Sequence, residues 1–191
     1  MQERLLDKIA EPFNIKLPEQ STMDKTIDGI LPAIITSSNA ITEEEYYLNR
    51  QWVEMHDDLG HSAVELYIFQ EGGRLFISNN GKIENASWDI LEGTQKFIIS
   101  SGARGGELYT LAFLDADFFI IKHHGDPRAH KKRYRMFVNE RVAGRLEWNE
   151  ALEMLYAKYR NTNTSFLAVT AVVLIVILIF IILSYGGRIG E

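Results

Sequence analysis

At 191 residues, with about 165 of them ahead of a long apolar run, the chain has room for one domain with a real hydrophobic core and little room for two. Lys and Arg number 20 against 26 Asp and Glu, a net charge of −6 that speaks against nucleic acid as the main partner. There is no cysteine, which excludes disulfides, thiolate metal sites and a cysteine nucleophile.

Residues 1–45 read as an N-terminal arm that docks on the remainder of the chain. Leu5, Leu6, Ile9 and Phe13 suggest a short amphipathic helix stopped at Pro12, and Pro18 and Pro32 punctuate the rest. The first twenty residues mix acids and bases and lack an apolar stretch of about 7 to 15 residues, so no signal peptide is expected.

From about Tyr47 the character changes to short runs of Ile, Phe, Tyr, Val and Trp, parted by Glu71-Gly72-Gly73, Asn79-Asn80-Gly81, Glu92-Gly93, Gly102 to Gly106 and Asp115-Ala116-Asp117. Turn chemistry at that spacing predicts successive antiparallel strands. They fall near 47–55, 61–70, 74–79, 82–91, 94–100, 107–114 and 118–124, with a further hairpin between 134 and 147. Leu75 with Ile77, Trp88 with Ile90, and Phe97 with Ile99 share a face, as period two requires of a half-buried sheet. In the hairpin from Leu108 to Ile121 both faces are apolar, since Leu108, Ala112 and Leu114 oppose Tyr109, Leu111 and Phe113. Such a hairpin needs a second cover, either the N-terminal arm or a partner.

Residues 46–147 therefore form an antiparallel β-domain, and residues 148–160 an amphipathic helix. Trp148, Leu152, Leu155, Tyr156 and Tyr159 make one helical stripe, which packs on the β-domain or lies on a membrane surface. Residues 161–165 are a polar hinge. From Phe166 to Tyr185 twenty residues carry no charge, Gly or Pro, enough to span roughly 30 Å of hydrocarbon. Fifteen of them are Leu, Ile, Val or Phe, so insertion is favoured by several kcal/mol on a scale of about −0.3 to −0.6 each. Phe166 and Tyr185 bound this membrane anchor, and residues 186–191 are a short tail. Arg145, Lys158 and Arg160 precede the span while the tail holds Arg188 and Glu191, a bias that turns the domain toward the cytosol. The expected fold is mainly β, α+β overall: an antiparallel meander or small barrel with an arm, an amphipathic helix and one transmembrane helix. The layout is that of a tail-anchored, single-pass protein of a membrane such as the bacterial inner membrane, with its domain cytoplasmic.

The run IFQEGGRLFISNNGKIENASWDILEGTQKFIISSGARGGELYTLAFLDADFFIIKHH, within residues 67–124, resembles bacterial lipocalin-like small β-domains. A Gly-turned hairpin at Gly72, Gly73 and Gly81, a strand with Trp88, Gly93, and a hairpin turning at Leu114-Asp115 carry the likeness. Ala86 stands where a glycine is common in such domains. The resemblance implies a β-meander, and no binding residues are carried over from it.

The stretch from Lys122 to Arg135 holds Lys122, Arg128, Lys131, Lys132, Arg133 and Arg135, three histidines and one acid. Tethered near a bilayer, these six cations read as a contact for anionic headgroups, at about 1 kcal/mol each, or as a solvated loop tip. His123, His124, Asp126 and His130, like His56-Asp57-Asp58 with His61, lack the spacing of a metal motif, and adjacent strand histidines point to opposite faces. The glycines from Gly102 to Gly106 join two strands with no following Gly-Lys-Ser/Thr, unlike a phosphate loop. No nucleophile elbow occurs, so neither a catalytic residue, a metal nor a cofactor is assigned. The reading is a non-catalytic binding module, or a subunit of a membrane-associated complex with a protein partner. The alternatives are a membrane-bound, hydrolase-like enzyme and a peripheral sensor of anionic lipid.

Overall fold

The computed structural model describes residues 22–58, 64–102, 105–125, 132–144, 146–160, 173–175 and 177. Among them eight antiparallel strands follow one another around a closed barrel: β1 (Gln51–Met55), β2 (Glu65–Gln70), β3 (Arg74–Asn79), β4 (Lys82–Leu91), β5 (Lys96–Ser101), β6 (Gly106–Leu114), β7 (Phe118–His123) and β8 (Tyr134–Asn139). Each pairs with the next, and β8 pairs with β1 from Trp52↔Asn139 to Met55↔Met136. The expected meander thus closes on itself, which leaves no unpaired sheet edge.

Closure also corrects the hairpin expected between 134 and 147. β8 gives its free edge to β1, so the chain turns instead into a helical turn, α2 (Glu140–Ala143), where the Asn139 side chain accepts from Arg141 N at 3.1 Å. The first strand begins later than expected, at Gln51, because Glu44–Tyr46 is a 3₁₀ turn that drives Tyr47 into the barrel.

Two positions show how local chemistry sets the turns. Asn80 (φ 48°) and Gly81 (φ 84°) join the paired Asn79 and Lys82 in the two-residue geometry that needs positive φ at both central positions. Gly73 has φ of +74°, and a Cβ there would lie 2.8 Å from the Trp88 carbonyl oxygen.

A helix not expected from the sequence, α1 (Met23–Ile34), lies on the outside of the barrel. Thr22 caps it, Asp24 sits in its first turn, and Met23, Ile27, Ile30 and Ile34 form its buried stripe. Pro32 does not end it: near the C-terminal end a proline forfeits one hydrogen bond where few remain to be lost. The amphipathic helix at 148–160, here α3, is helical throughout and buries Ala151, Leu152 and Leu155 beside α1. Together they cover Ala112, Phe113, Phe118, Ile120, Met136 and Val138 on the outer wall. The doubly apolar hairpin owes its second cover to these two helices.

Within that hairpin the register shifts between Leu111 and Phe113. A bulge reverses the alternation of faces. Tyr109, Leu111 and Leu114 therefore belong with the interior cluster, while Ala112 and Phe113 belong with the outer one, contrary to strict period two.

One end of the barrel is sealed. Asn39 N donates to the Leu114 carbonyl at 2.8 Å, and Ile41 and Tyr47 are buried among the interior aromatics. The last turn of α3 docks at this same end, where Lys158 Nζ reaches Asp115 Oδ2 (2.9 Å) and Asp117 Oδ2 (2.6 Å) and Tyr159 Oη donates to Asp115 Oδ2 (2.5 Å).

Among the described residues no helix is long and apolar enough to cross a membrane. Phe166, Tyr185 and most of the run between them lie outside the described residues; Val173, Leu174, Ile175 and Ile177 lie within, helical and about half exposed. The expected helix around Leu5 to Phe13, the hinge at 161–165 and the tail at 186–191 also fall outside the described residues.

Candidate functional site

Inside the barrel, successive inward residues change character halfway along. At the sealed end Trp52, Phe69, Leu75, Trp88, Phe97, Phe119 and Phe137 pack around Tyr47. Phe119 stacks on Tyr47 with centroids 5.7 Å apart, and Trp88 on Phe97 at 5.4 Å. Both indole N–H groups here are satisfied, Trp52 by the Tyr47 carbonyl at 3.0 Å and Trp88 by those of Gln70 and Arg74. The Tyr47 hydroxyl has no hydrogen-bond partner among the described residues. Burial, then the charge of Glu44, pushes its ionisation well up, so it stays neutral. Because an unsatisfied buried hydroxyl costs roughly 1–3 kcal/mol, Tyr47→Phe should stabilise the domain by about that amount, read as a higher urea midpoint with an unchanged slope.

Two residues further along each strand the interior becomes polar. Trp52 gives way to Glu54 and His56, Phe69 to Tyr67 and Glu65, Leu111 to Tyr109 and Glu107, Phe137 to Arg135. These side chains, with Ile77, Ile99, Ser101, His123 and residues at the rim, line a cavity of about 440 Å³ at the open end. That volume falls within the range of small-molecule sites.

Arg135 and Glu54 form the centre of its wall. The guanidinium grips the carboxylate with two bonds, Nε to Oε1 at 2.8 Å and Nη2 to Oε2 at 2.6 Å. Its Cζ lies 4.8 Å from the centroid of the Tyr67 ring, 5.1 Å from that of Phe137 and 5.8 Å from that of Tyr109. Burial alone would raise the Glu54 carboxyl, but the charge and hydrogen bonds of Arg135 outweigh it and hold Glu54 below the ordinary carboxylate range. Burial opposes the Arg135 charge as well, and Glu54 more than restores it.

The tyrosines relay this polarity outward. Tyr109 Oη donates to Glu107 Oε2 at 2.5 Å and accepts from Arg135 Nη1 at 3.4 Å. Tyr67 Oη donates to Glu65 Oε2 at 3.2 Å, and Asn79 Nδ2 donates to Glu65 Oε1 at 3.3 Å. Burial, joined by Glu54 at Tyr67, raises both phenols, so each is a neutral donor near pH 7. Among the described residues four acids line the cavity against Lys132 and Arg135: Lys132 pairs with Asp58 and Arg135 with Glu54, while Glu65 and Glu107 have no Lys or Arg partner.

Of the six basic residues of 122–135, the four that are described, Lys122, Lys132, Arg133 and Arg135, do not assemble on one face. Lys122 lies at the end of β7 with Nζ 5.6 Å from the Tyr134 ring centroid. Lys132 pairs with Asp57 (3.2 Å) and Asp58 (2.7 Å), and Arg133 with Asp28 of α1. Arg135 is turned into the barrel. Arg128 and Lys131 lie outside the described residues, as do His61, Asp126 and His130. His123 packs against the Tyr109 ring at 4.4 Å inside the cavity, whereas His124 sits 3.5 Å from Thr110 Oγ1, so the two adjacent histidines part as strand geometry demands.

No family model, curated protein or solved structure matches this chain.

Glu54, Glu65, Tyr67, Glu107 and Tyr109 are not marked as site residues by the sequence motifs. The signal that marks them is parity: each lies two or four residues from an inward apolar or aromatic side chain on the same strand, Tyr109 from Leu111 and the others from Trp52, Phe69 or Tyr109.

Proposed function

We propose that this chain is a membrane-tethered binding module whose barrel takes a small polar ligand at its open end without converting it chemically. The observation that carries the reading is the division of one closed interior into an aromatic half and a polar half with a cavity between Glu54, Tyr67, Tyr109 and Arg135. A barrel filled for stability alone gains nothing by burying an ion pair where apolar side chains would fit.

Anchoring rests on the uncharged run from 166 to 185 and on the exposure of Val173, Leu174, Ile175 and Ile177, side chains that a bilayer would cover. The docking of Lys158 at the sealed end supports a bilayer on that side and an open end facing the cytosol. Lys122 and Lys132 of the basic stretch lie at the other end, one strand length away, about 20 Å for six residues and beyond a screening length of about 8 Å. With Lys132, Arg133 and Arg135 already paired, a role as a sensor of anionic lipid is the less favoured reading.

The full chain should stay with membranes through an alkaline carbonate wash. Released from detergent for native mass spectrometry, it should carry a small molecule that is lost when Ser101→Trp fills the mouth. Extraction by carbonate would overturn the anchoring. A bare mass from the wild type, or retention by Ser101→Trp, would overturn the cavity as the binding site.

A further inference from the structure

We infer that Glu54, His56 and Glu65 form a divalent metal site on the cavity wall, with an open coordination position facing the cavity. The inference rests on the binding-module reading and supplies the chemistry of its ligand: a small molecule with a metal-coordinating anionic or polar group.

Register brings the three together. The β1–β2 pairs run Gln51↔Ile68, Trp52↔Tyr67, Val53↔Leu66, and extending that register one residue past its last pair sets Glu54 opposite Glu65. Like charges directly opposite are destabilising unless positive charge lies between them. His56, two residues beyond Glu54, shares its inward face. One donor atom from each of the three lies within 4.8 Å of the others. A zinc-like ion at about 2.0–2.2 Å from each donor draws such atoms to roughly 3–4 Å apart, so small side-chain adjustments complete the set.

The carboxylates are also held as metal-ligating carboxylates are, by outer hydrogen bonds that fix their orientation. Arg135 holds Glu54, while Tyr67 Oη and Asn79 Nδ2 hold Glu65. Arg135 neutralises one of the two carboxylates, yet Glu107 adds another to the same cavity, so the wall keeps negative charge for a dication. One imidazole and two carboxylates suit zinc or a neighbouring first-row ion, and three protein ligands leave a coordination position for the bound molecule. Of the sequence-level grouping of His56, Asp57 and Asp58 with His61, His56 enters this set, and His61 lies outside the described residues. Asp57 instead accepts from Met23 N of α1 at 2.9 Å and pairs with Lys132.

The test is titration of the detergent-solubilised, chelator-stripped full chain with Zn²⁺ by calorimetry and with Co²⁺ by visible absorption. One ion per chain is expected, with the intense ligand-field bands of low-coordinate Co²⁺. His56→Ala and Glu65→Gln should each weaken binding at least tenfold, and His124→Ala, outside the cavity, should leave it unchanged. Absence of saturable uptake, or wild-type affinity in both His56→Ala and Glu65→Gln, would overturn the site; circular dichroism of each variant checks the fold. Failure here is separable from failure of the binding module. A small molecule retained by wild type and by Glu65→Gln, yet lost from Ser101→Trp, would keep the cavity and remove the metal.

Discussion

Removing either half of the Arg135–Glu54 pair should destabilise the domain by about 3–5 kcal/mol, because each single change leaves the other charge buried and alone. Arg135→Met and Glu54→Leu combined should cost far less than the sum, and urea unfolding of the four proteins in detergent gives the coupling directly. The pair also fixes a pH dependence. Glu54 is held below its ordinary value of 4.5 in the folded protein. Its contribution is therefore complete above that value. As pH falls further the unfolded chain takes up the proton first, and stability drops by up to about 1.4 kcal/mol per pH unit until the folded-state value is passed. The double variant should lose this segment of the acid limb, and an unchanged limb would show that Glu54 does not carry it.

Phe119→Ala should cost about 3–5 kcal/mol, the range for deleting a fully buried phenylalanine. Phe119 is wholly buried and its ring meets those of Tyr47, Trp52, Phe69, Phe97 and Phe137. Those neighbours come from four strands around the barrel and from Tyr47 at its sealed end, so no single element can collapse into the space left behind. Ile83→Ala, at a side chain 67% exposed, is the control and should fall within about 0.5 kcal/mol of wild type. A small loss for Phe119→Ala, measured as the shift in urea midpoint, would mean that the aromatic half packs more loosely than its ring contacts require.

How much of the site was legible depends on where its residues lie. Arg135 sits in a stretch so rich in Lys, Arg and His that composition assigns it to a surface, yet its register opposite Ile121 turns it inward. Its partner Glu54 is 81 residues away, and no local pattern links a lone acid on the first strand to a lone base on the last. The pair exists because the barrel closes, and closure is decided by β8 meeting β1.

The sequence by itself determined the local elements: seven strand positions within a few residues, the Asn80-Gly81 turn, the helical stripe from Trp148 to Tyr159, and the need of the 108–121 hairpin for a cover on both faces. Period-two and period-3.6 patterns and turn chemistry act over a handful of residues, so a single chain segment carries them. Tertiary structure decided the rest. The bulge after Leu111 reversed which side chains face inward, since only pairing with β7 makes an extra residue visible. α1 was hidden by Pro32, because a proline reads as a stop until a helix end is seen to tolerate it. The polar cavity was hidden because Glu54, Glu65, Glu107 and Arg135 look like ordinary solvated charges on alternating strands. Which face of a strand meets solvent depends on whether the sheet curls around it, and that is a property of all eight strands at once.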